Sequence, residues 1–181
     1  MEILRTPRLS LRTWREDDID QFVRLNADPA VYEYLPGPLS RQQASEFAAM
    51  QNAMYERHGT CYFAATLHGS EVLLGFVGLK HQAFDQPFAP CFELGWRLGT
   101  GHWGQGYATE GARACIDFGF DQLGLEEIVS FTVPENMRSR RVMERLGLRH
   151  DPAADFAHPA LPPGHRLSRH VLYRIARPAP G

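Results

Sequence analysis

Alternating hydrophobic and polar positions predict a β-strand near the start of the chain. Between Arg8 and Arg12, Leu9 and Leu11 share one face, which is the pattern of a half-buried strand. Three further strands are predicted from apolar or aromatic runs separated by short turns, at residues 61–67, 72–80 and 91–98. Short connections between successive strands indicate an antiparallel meander.

Helical patterns and two more strands surround this meander. Helices are predicted at 17–25 from an acidic first turn, at 40–57 and 136–146 from their N-cap residues, and at 107–122 from apolar residues that recur with helical spacing. Ser40 and Asn136 are the predicted N-caps of the second and the fourth helix. Further strands are predicted at residues 127–133 and 170–175.

The order of these elements predicts an α+β fold, with one mixed, mostly antiparallel sheet of six to seven strands flanked by helices. A chain of 181 residues without an internal repeat or linker is the size of one domain. We therefore expect a single domain over residues 1–175 and a disordered tail over residues 176–181.

Composition and charge exclude several classes of function. The 19 basic and 21 acidic residues give a net charge of −2, which argues against a nucleic-acid partner. The longest apolar run, 72–79, is interrupted by glycines and too short to cross a membrane. The first ten residues contain no apolar core of a secretory signal, so we expect a cytoplasmic protein.

A glycine-rich segment joins the fourth predicted strand to a helix, with Gly99, Gly101, Gly104 and Gly106. Bare backbone N–H groups ahead of a helix suit a phosphate, although a ligand-free turn is an alternative. The spacing also matches the dinucleotide motif, but no acidic residue ends a second strand about 20 residues later. The motif of nucleoside-triphosphate-binding loops is not matched, because Gln105 and Tyr107 occupy the positions where that motif requires a lysine.

The sequence WGQGYA, residues 103–108, resembles the pyrophosphate loop of the GNAT superfamily of N-acetyltransferases. That loop has the pattern Arg/Gln-x-x-Gly-x-Gly/Ala. Gly106 and Ala108 match its last two defined positions, whereas Trp103 occupies the position of the Arg or Gln and departs from the pattern. The segments TPRLSLR, FELGWRL, PENMRSRRVMERLGLR and RHVLYRI extend the resemblance over nearly the whole chain. They are similar to the branch that acetylates the N-terminal alanine or serine of ribosomal proteins.

The resemblance implies a sheet splayed after its fourth strand, with acetyl-coenzyme A as cosubstrate in the opening and no metal. The residues that it implies for the coenzyme are Trp96, Arg97, Leu98, Trp103, Gly104, Gln105, Gly106, Tyr107, Ala108, Thr109, Asn136 and Ser139. It also implies a backbone N–H near Trp96 to Leu98 as the donor to the oxyanion.

Glu93 is the candidate general base. A carboxylate among the apolar neighbours of FELGW has no evident packing role, and the family often places its base on this strand. An ordinary solvent-facing charge is the alternative.

Asn136 and Ser139 are the other catalytic candidates. Asn136 is expected to cap the helix while its amide group stays free to donate. Met143 stands where many members of the superfamily have a tyrosine acid, which leaves Ser139 as proton donor or sulfur partner. Tyr107 and Tyr173 are reserve candidates.

The expected acceptor is a primary amine. At pH 7, deprotonation costs about 1 kcal/mol for an α-amine and about 4.6 kcal/mol for a lysine, so one carboxylate base suits an α-amine. The resemblance favours a protein N-terminus. Small amines such as an amino acid, a polyamine or an aminoglycoside stay open, as does a non-catalytic acyl-coenzyme A-binding module.

The acceptor pocket is expected between the helix from Ser40 to Arg57 and the segment from Asp155 to His170, with Tyr32 and Tyr34 as contacts. The histidines of that segment have no common zinc spacing, so surface positions are favoured. Exposed terminal strands of antiparallel sheets often pair, which makes a homodimer one option.

Overall fold

A computed structural model describes residues 1–179 and contains one nine-stranded sheet flanked by helices. The strands are β1 (Glu2–Arg5), β2 (Leu9–Arg12), β3 (Tyr62–Leu67), β4 (Leu73–Gln82), β5 (Cys91–Leu98), β6 (Glu127–Thr132), β7 (Arg149–His150), β8 (Phe156–Ala157) and β9 (Arg169–Ala176). The α-helices are α1 (Asp17–Asn26), α2 (Pro29–Tyr32), α3 (Arg41–His58), α4 (Tyr107–Asp121) and α5 (Met137–Arg145). Within residues 1–179, no helix is long and apolar enough to span a membrane.

The sheet is mostly antiparallel, as predicted. Its order is β1-β2-β3-β4-β5-β6-β9-β7, and β8 also pairs with β9. Only the β5–β6 pairing is parallel among the described strands. The predicted number of six to seven strands is wrong, because three strands were missed. β7 and β8 have two residues each and are too short to show alternation, and the four residues of β1, EILR, do not alternate.

Helices cover both faces of the sheet. α1 and α3 pack on one face, in a cluster that contains Phe22, Tyr62 and Phe76. α4 packs on the other face, where Ile116 clusters with Leu94. Because side chains alternate along a strand, β5 directs residues 93, 95 and 97 to the α1 face and residues 94, 96 and 98 to the α4 face.

β5 and β6 pair at a single position, Glu93 with Val129. The next connection is made by a side chain, since the Ser130 hydroxyl donates to the Leu94 carbonyl at 2.7 Å. Beyond it the strands separate around a cavity, which confirms the predicted splay. The fourth predicted strand corresponds to β5, because the structure contains an additional strand, β1, before the first predicted one.

Local capping signals were predicted well. Ser40 accepts from the Gln43 backbone N–H at 3.2 Å, and the Gln43 side chain accepts from the Ser40 N–H at 2.9 Å, which forms a capping box at α3. Asn136 caps α5 by accepting from the Ser139 N–H at 3.2 Å. Both predicted N-caps are therefore confirmed.

The ordered sheet contacts at the end of the chain extend beyond residue 175, the predicted end of the domain. Ala176 pairs with Glu127, and the Arg177 N–H donates to the Glu126 carbonyl at 2.8 Å. The predicted tail over 176–181 thus starts inside a strand. Its last two residues, Pro180 and Gly181, lie outside the described residues.

Candidate active site

A cavity of about 650 Å³ opens where β5 and β6 separate. All residues predicted as catalytic or coenzyme-binding, except Gln105, line this cavity. We call the part bounded by residues 103–109 and α5 the loop half. We call the part bounded by Tyr34, Tyr62 and Phe76 on the α1 face the aromatic half. The exposed edge of β5 lies between these two parts.

The loop half is built around the start of α4. Gly104 and Gly106 have φ angles of 73° and 81°, a conformation that favours glycine. A Cβ atom added at Gly104 would meet nothing within 4 Å, so its backbone conformation and not lack of space calls for glycine. Gly106 is the N-cap residue and no side chain caps the helix, which leaves the first N–H groups of α4 open to an anion.

Gln105 points away from the cavity. Its side-chain amide donates to the Gly101 carbonyl at 2.9 Å, and its own carbonyl accepts from Arg8 at 2.9 Å. Arg8 also forms an ion pair with Glu110 at 2.6 Å. Gln105 therefore fixes the loop to the start of β2, and its side chain does not form part of the cavity wall that sequence reasoning assigned to it.

Trp103, the departure from the family's loop, is held by contacts on two sides. Its indole N–H donates to the Leu98 carbonyl at 2.8 Å, and the Arg138 guanidinium lies 4.2 Å from its ring centre. Arg138 also forms an ion pair with Glu33 at 3.0 Å. Trp103 thus joins β5, α5 and the turn after α2 at the rim of the cavity.

The edge of β5 presents main-chain groups to the opening. The carbonyls of Leu94 and Leu98 point to this edge, because they accept from Ser130 and from Trp103. Since alternate residues of a strand direct their backbone groups to the same side, the N–H of Trp96 faces the cavity between them. This is the region where the resemblance implies an oxyanion donor.

Glu93 is buried on the α1 face and lines the cavity, so a solvent-facing charge is excluded. Its carboxylate accepts a hydrogen bond from the Gln82 amide. Burial raises the pKa of Glu93, against the lowering effects of hydrogen bonds from Gln82 and Tyr62 and of the Lys80 charge. A carboxylate with a raised pKa is better matched to proton transfer near neutral pH.

Tyr62 beside Glu93 was missed by sequence reasoning. It lines the cavity, and burial first and the Glu93 charge second raise its pKa well above the ordinary value. The phenol is therefore neutral and able to donate to the carboxylate. The signal was weak, because Tyr62 lies in an apolar strand where an aromatic residue has an ordinary packing role.

Asn136 and Ser139 lie together in the loop half, but Asn136 is more occupied than predicted. Its amide group donates to the Thr132 hydroxyl at 3.0 Å while its oxygen caps α5. The expectation of a free amide is thus wrong for one of its two N–H bonds. The Ser139 hydroxyl lines the cavity and has no hydrogen-bond partner within residues 1–179.

The three alternative acid positions differ. Met143 is buried and carries no proton to give. Tyr173 does not line the cavity, and its hydroxyl accepts from Arg140 at 3.0 Å and donates to Glu144 at 3.2 Å. Tyr107 lines the cavity with the Arg8 guanidinium 4.5 Å from its ring centre. Tyr107 is therefore the reserve candidate with access to the site.

The aromatic half differs from the predicted acceptor pocket. Tyr34 lines it, together with Val31 of α2, whereas neither Tyr32 nor any residue of α3 does. α3 lies behind β3 instead, because its buried face packs on the sheet. Of the segment 155–170, only His170 reaches the cavity.

Two of the three histidines of that segment, His158 and His170, pack among aromatic rings and are not simple surface residues. The ring centres of His158 and His170 are 5.0 Å apart, and burial lowers the pKa of both. Within the described part of the chain, no three His, Cys, Asp or Glu side chains are grouped so that they could hold a metal ion.

Arg97 was assigned to the coenzyme, but its side chain lies on the opposite face from α4. Its Nη1 atom donates to the Asn26 side-chain oxygen at 2.6 Å, at the end of α1. Its guanidinium also lies near the rings of Phe22 and Phe76. The side chain of Arg97 thus belongs to the aromatic half, and only its backbone follows the edge of β5.

Comparisons with known proteins agree on one family. The model of the acetyltransferase (GNAT) domain matches residues 8–149. An uncharacterized N-acetyltransferase of Bacillus licheniformis, p20, is 31% identical over 148 residues, which cover 81% of this chain and 82% of that protein. The solved acetyltransferase of Agrobacterium tumefaciens is 30% identical with a TM-score of 0.78, covering 98% of this chain and 95% of its own.

A more distant solved structure shares the fold. It is a ribosomal α-N-protein acetyltransferase in complex with coenzyme A, with 14% identity and a TM-score of 0.77, and the match covers 97% of this chain and 98% of that one. At this identity the similarity concerns the fold, and it carries no residue assignment.

Proposed function

The chain belongs to the GNAT acetyltransferases, which use acetyl-coenzyme A, and from this premise we propose that it acetylates a primary α-amine by direct attack in a ternary complex. One observation carries the proposal. The open edge of β5 leads from the uncapped start of α4 to the buried carboxylate of Glu93. The cavity thus joins an anion site to a base, as acetyl transfer requires.

The loop half suits the coenzyme. The diphosphate of coenzyme A is an anion, and the N–H groups at the start of α4 with the helix dipole favour an anion without a cationic side chain. The remainder of the coenzyme then follows the edge of β5 toward Glu93, where Trp96 offers an N–H to the thioester oxygen.

The proposed reaction forms one C–N bond and breaks one C–S bond. Glu93 takes the proton that the amine must lose, and the amine lone pair attacks the thioester carbonyl carbon. The N–H of Trp96 stabilises the oxyanion of the tetrahedral intermediate. Coenzyme A leaves as the thiolate and is protonated to the free thiol, with the Ser139 hydroxyl as the partner of the sulfur.

An α-amine is the acceptor that fits this machinery best. One carboxylate with a raised pKa handles the proton of an α-amine, whose deprotonation at pH 7 costs about 1 kcal/mol, more readily than that of a lysine. A protein N-terminus carries such an amine, in agreement with the fold shared with an α-N-protein acetyltransferase.

Glu93→Gln tests the proposal. With acetyl-coenzyme A and a panel of α-amines, release of free thiol is expected to fall by about 10²- to 10⁴-fold, the range for loss of a general base. Glu56→Gln, an exposed position on α3 outside the cavity, is the matched control and is expected to keep the wild-type rate. Coenzyme A should raise the melting temperature of all three proteins, whereas NAD should not.

Wild-type turnover in Glu93→Gln would exclude Glu93 as the base. A wild-type protein that coenzyme A does not stabilise would overturn the assignment of the loop half.

A further inference from the structure

Arg97 is a cation in the aromatic half that has no opposite charge beside it. Its Nη1 atom donates to Asn26 Oδ1 at 2.6 Å, and its guanidinium lies 5.4 Å from the ring centre of Phe76. Within the described residues, no carboxylate lies within ion-pair distance of this guanidinium. Arg97 is half-buried, and a cation partly removed from water without a counter-charge has an energetic cost, so this arrangement calls for an explanation.

Asn26 supplies an oxygen but no charge. It is the last residue of α1 and is fully buried, and its amide donates to the Phe22 carbonyl at 2.7 Å, which directs its oxygen toward Arg97. A guanidinium carries five N–H donors, so donors remain for a ligand in the cavity that Arg97 lines. Burial lowers the pKa of Arg97 to about 10, and the group stays charged at neutral pH.

We propose that Arg97 binds a carboxylate of the acceptor, so that the substrate class is a primary amine that also carries a carboxylate. The proposal rests on the proposed function, because it takes the aromatic half as the place where the acceptor binds. The planar fork of a guanidinium matches the two oxygens of a carboxylate, and the ligand then supplies the counter-charge that the protein lacks.

The ring of Tyr62 lies between Arg97 and the base. Glu93, Gly95 and Arg97 share one face of β5, and Tyr62 covers Gly95, since a Cβ atom added there would lie 2.8 Å from the ring. The Cα atoms of Glu93 and Arg97 are about 13 Å apart along a strand. Because Tyr62 lies between the two groups and hydrogen-bonds to Glu93, an acceptor held at Arg97 reaches the base through the Tyr62 phenol or a water molecule.

Two sources provide an amine with a nearby carboxylate. One is a free amino acid, through its α-carboxylate, and the other is a peptide whose first residue is acidic. Both present the same chemistry to Arg97, so the experiment contains one arm for each source.

The first arm compares alanine, serine, methionine and phenylalanine with their carboxamides, and the second compares tripeptide amides that begin with Asp or with Asn. For each pair, kcat/KM is measured by thiol release and corrected for the fraction of neutral amine, because the carboxamides have lower amine pKa values. Wild-type protein is expected to prefer the carboxylate partner in at least one arm by about 10- to 100-fold, the range for hydrogen bonds to a charged group.

Variants then assign this preference to Arg97. In Arg97→Gln the ratio within each pair is expected to fall to about 1, and in Arg97→Lys to an intermediate value because the bidentate fork is lost. Asn26→Asp should also lower the ratio, since it gives Arg97 a carboxylate inside the protein. Arg24→Gln, an exposed position on α1 outside the cavity, should keep the wild-type ratio.

Equal or better use of the neutral partner by wild-type protein in both arms would overturn the proposal, as would a carboxylate preference that survives in Arg97→Gln. Loss of the coenzyme A-induced melting shift in Arg97→Gln would assign Arg97 to the coenzyme and overturn it as well. If coenzyme A stabilises the protein but no amine of either kind is acetylated, the proposed function fails together with this inference. Acetylation of the neutral partners alone refutes only the inference.

Discussion

The two ends of helix α1 hold two arginines in different ways, a buried one and a half-buried one. In the first turn, both oxygens of Asp18 accept from Arg12, at 2.7 and 2.8 Å, and the two side chains are 1% and 4% exposed. At the last residue, Asn26 offers Arg97 one neutral oxygen, and the guanidinium faces a cavity. The first charge is balanced within the protein, and the second is left for a ligand.

The pKa values of the two arginines shift in opposite directions, in agreement with their different partners. Hydrogen bonding to Asp18 raises the pKa of Arg12 and outweighs burial. Burial lowers the pKa of Arg97, because no carboxylate opposes it. A titratable group perturbed by burial at a cavity wall is a candidate for a functional site, and an ion pair within the protein perturbs the pKa for structural reasons. The comparison therefore separates two residues of the same type by role.

The largest expected effect comes from breaking the balanced end. Asp18→Asn leaves the Arg12 cation buried without its counter-charge, so we expect the free energy of unfolding to fall by about 3–5 kcal/mol. Urea unfolding measures this change. Asp17→Asn, at an exposed position in the same turn, should alter stability by less than about 0.5 kcal/mol. Equal effects of the two variants would remove the distinction that we draw.

One substitution made at both ends sharpens the comparison. Arg12→Met leaves Asp18 as a buried, unpaired charge and is expected to cost about 3 kcal/mol. Arg97→Met removes a cation that has no counter-charge, which offsets the loss of its hydrogen bond to Asn26, so stability should change by less than about 1 kcal/mol. Thermal unfolding of both variants in the same buffer measures the direction and size of each change in stability. A loss of stability in Arg97→Met as large as in Arg12→Met would show that Arg97 is structural.

The smallest expected effect concerns Glu93, a second buried charge that faces the cavity. Because its pKa is raised by burial, turnover should fall as the pH falls through that raised value, by up to about tenfold per pH unit. The protonated carboxyl can no longer accept a proton from the amine. The pH profile of kcat with one fixed acceptor measures this, and Glu93→Gln is the control. An identical acid limb in the residual activity of Glu93→Gln would assign the limb to another group.

Features set by local sequence were predictable. The two glycines before α4, the caps at Ser40 and Asn136, and the strand that carries Glu93 each depend on neighbouring residues, and the structure has them at the predicted positions. The overall fold followed from the order of such elements. The short strands β1, β7 and β8 exist through their partners in the sheet, so their own residues carried no pattern.

Features set by distant contacts were not predictable. Alternation along FELGWRL places Glu93 and Arg97 on one face, but nothing in that segment says that α1 and not α4 covers this face. In the same way, the α3 helix is long enough to form one wall of a pocket. It packs on the sheet instead, and none of its residues lines the cavity. One missed contact is local, because Thr132, which accepts from the Asn136 amide, lies only four residues earlier, at the end of β6.

The glycines that open α4 have a consequence for how such a chain diverges. Every residue type except proline carries a main-chain N–H, so an anion held at the start of α4 depends on the path of the backbone and little on the identity of the side chains. Random mutation can therefore replace Gln105 with few consequences for that contact, while Gly104 and Gly106 are constrained by their left-handed φ angles. Substitutions in this loop are therefore limited mainly at the positions where the backbone has a left-handed conformation.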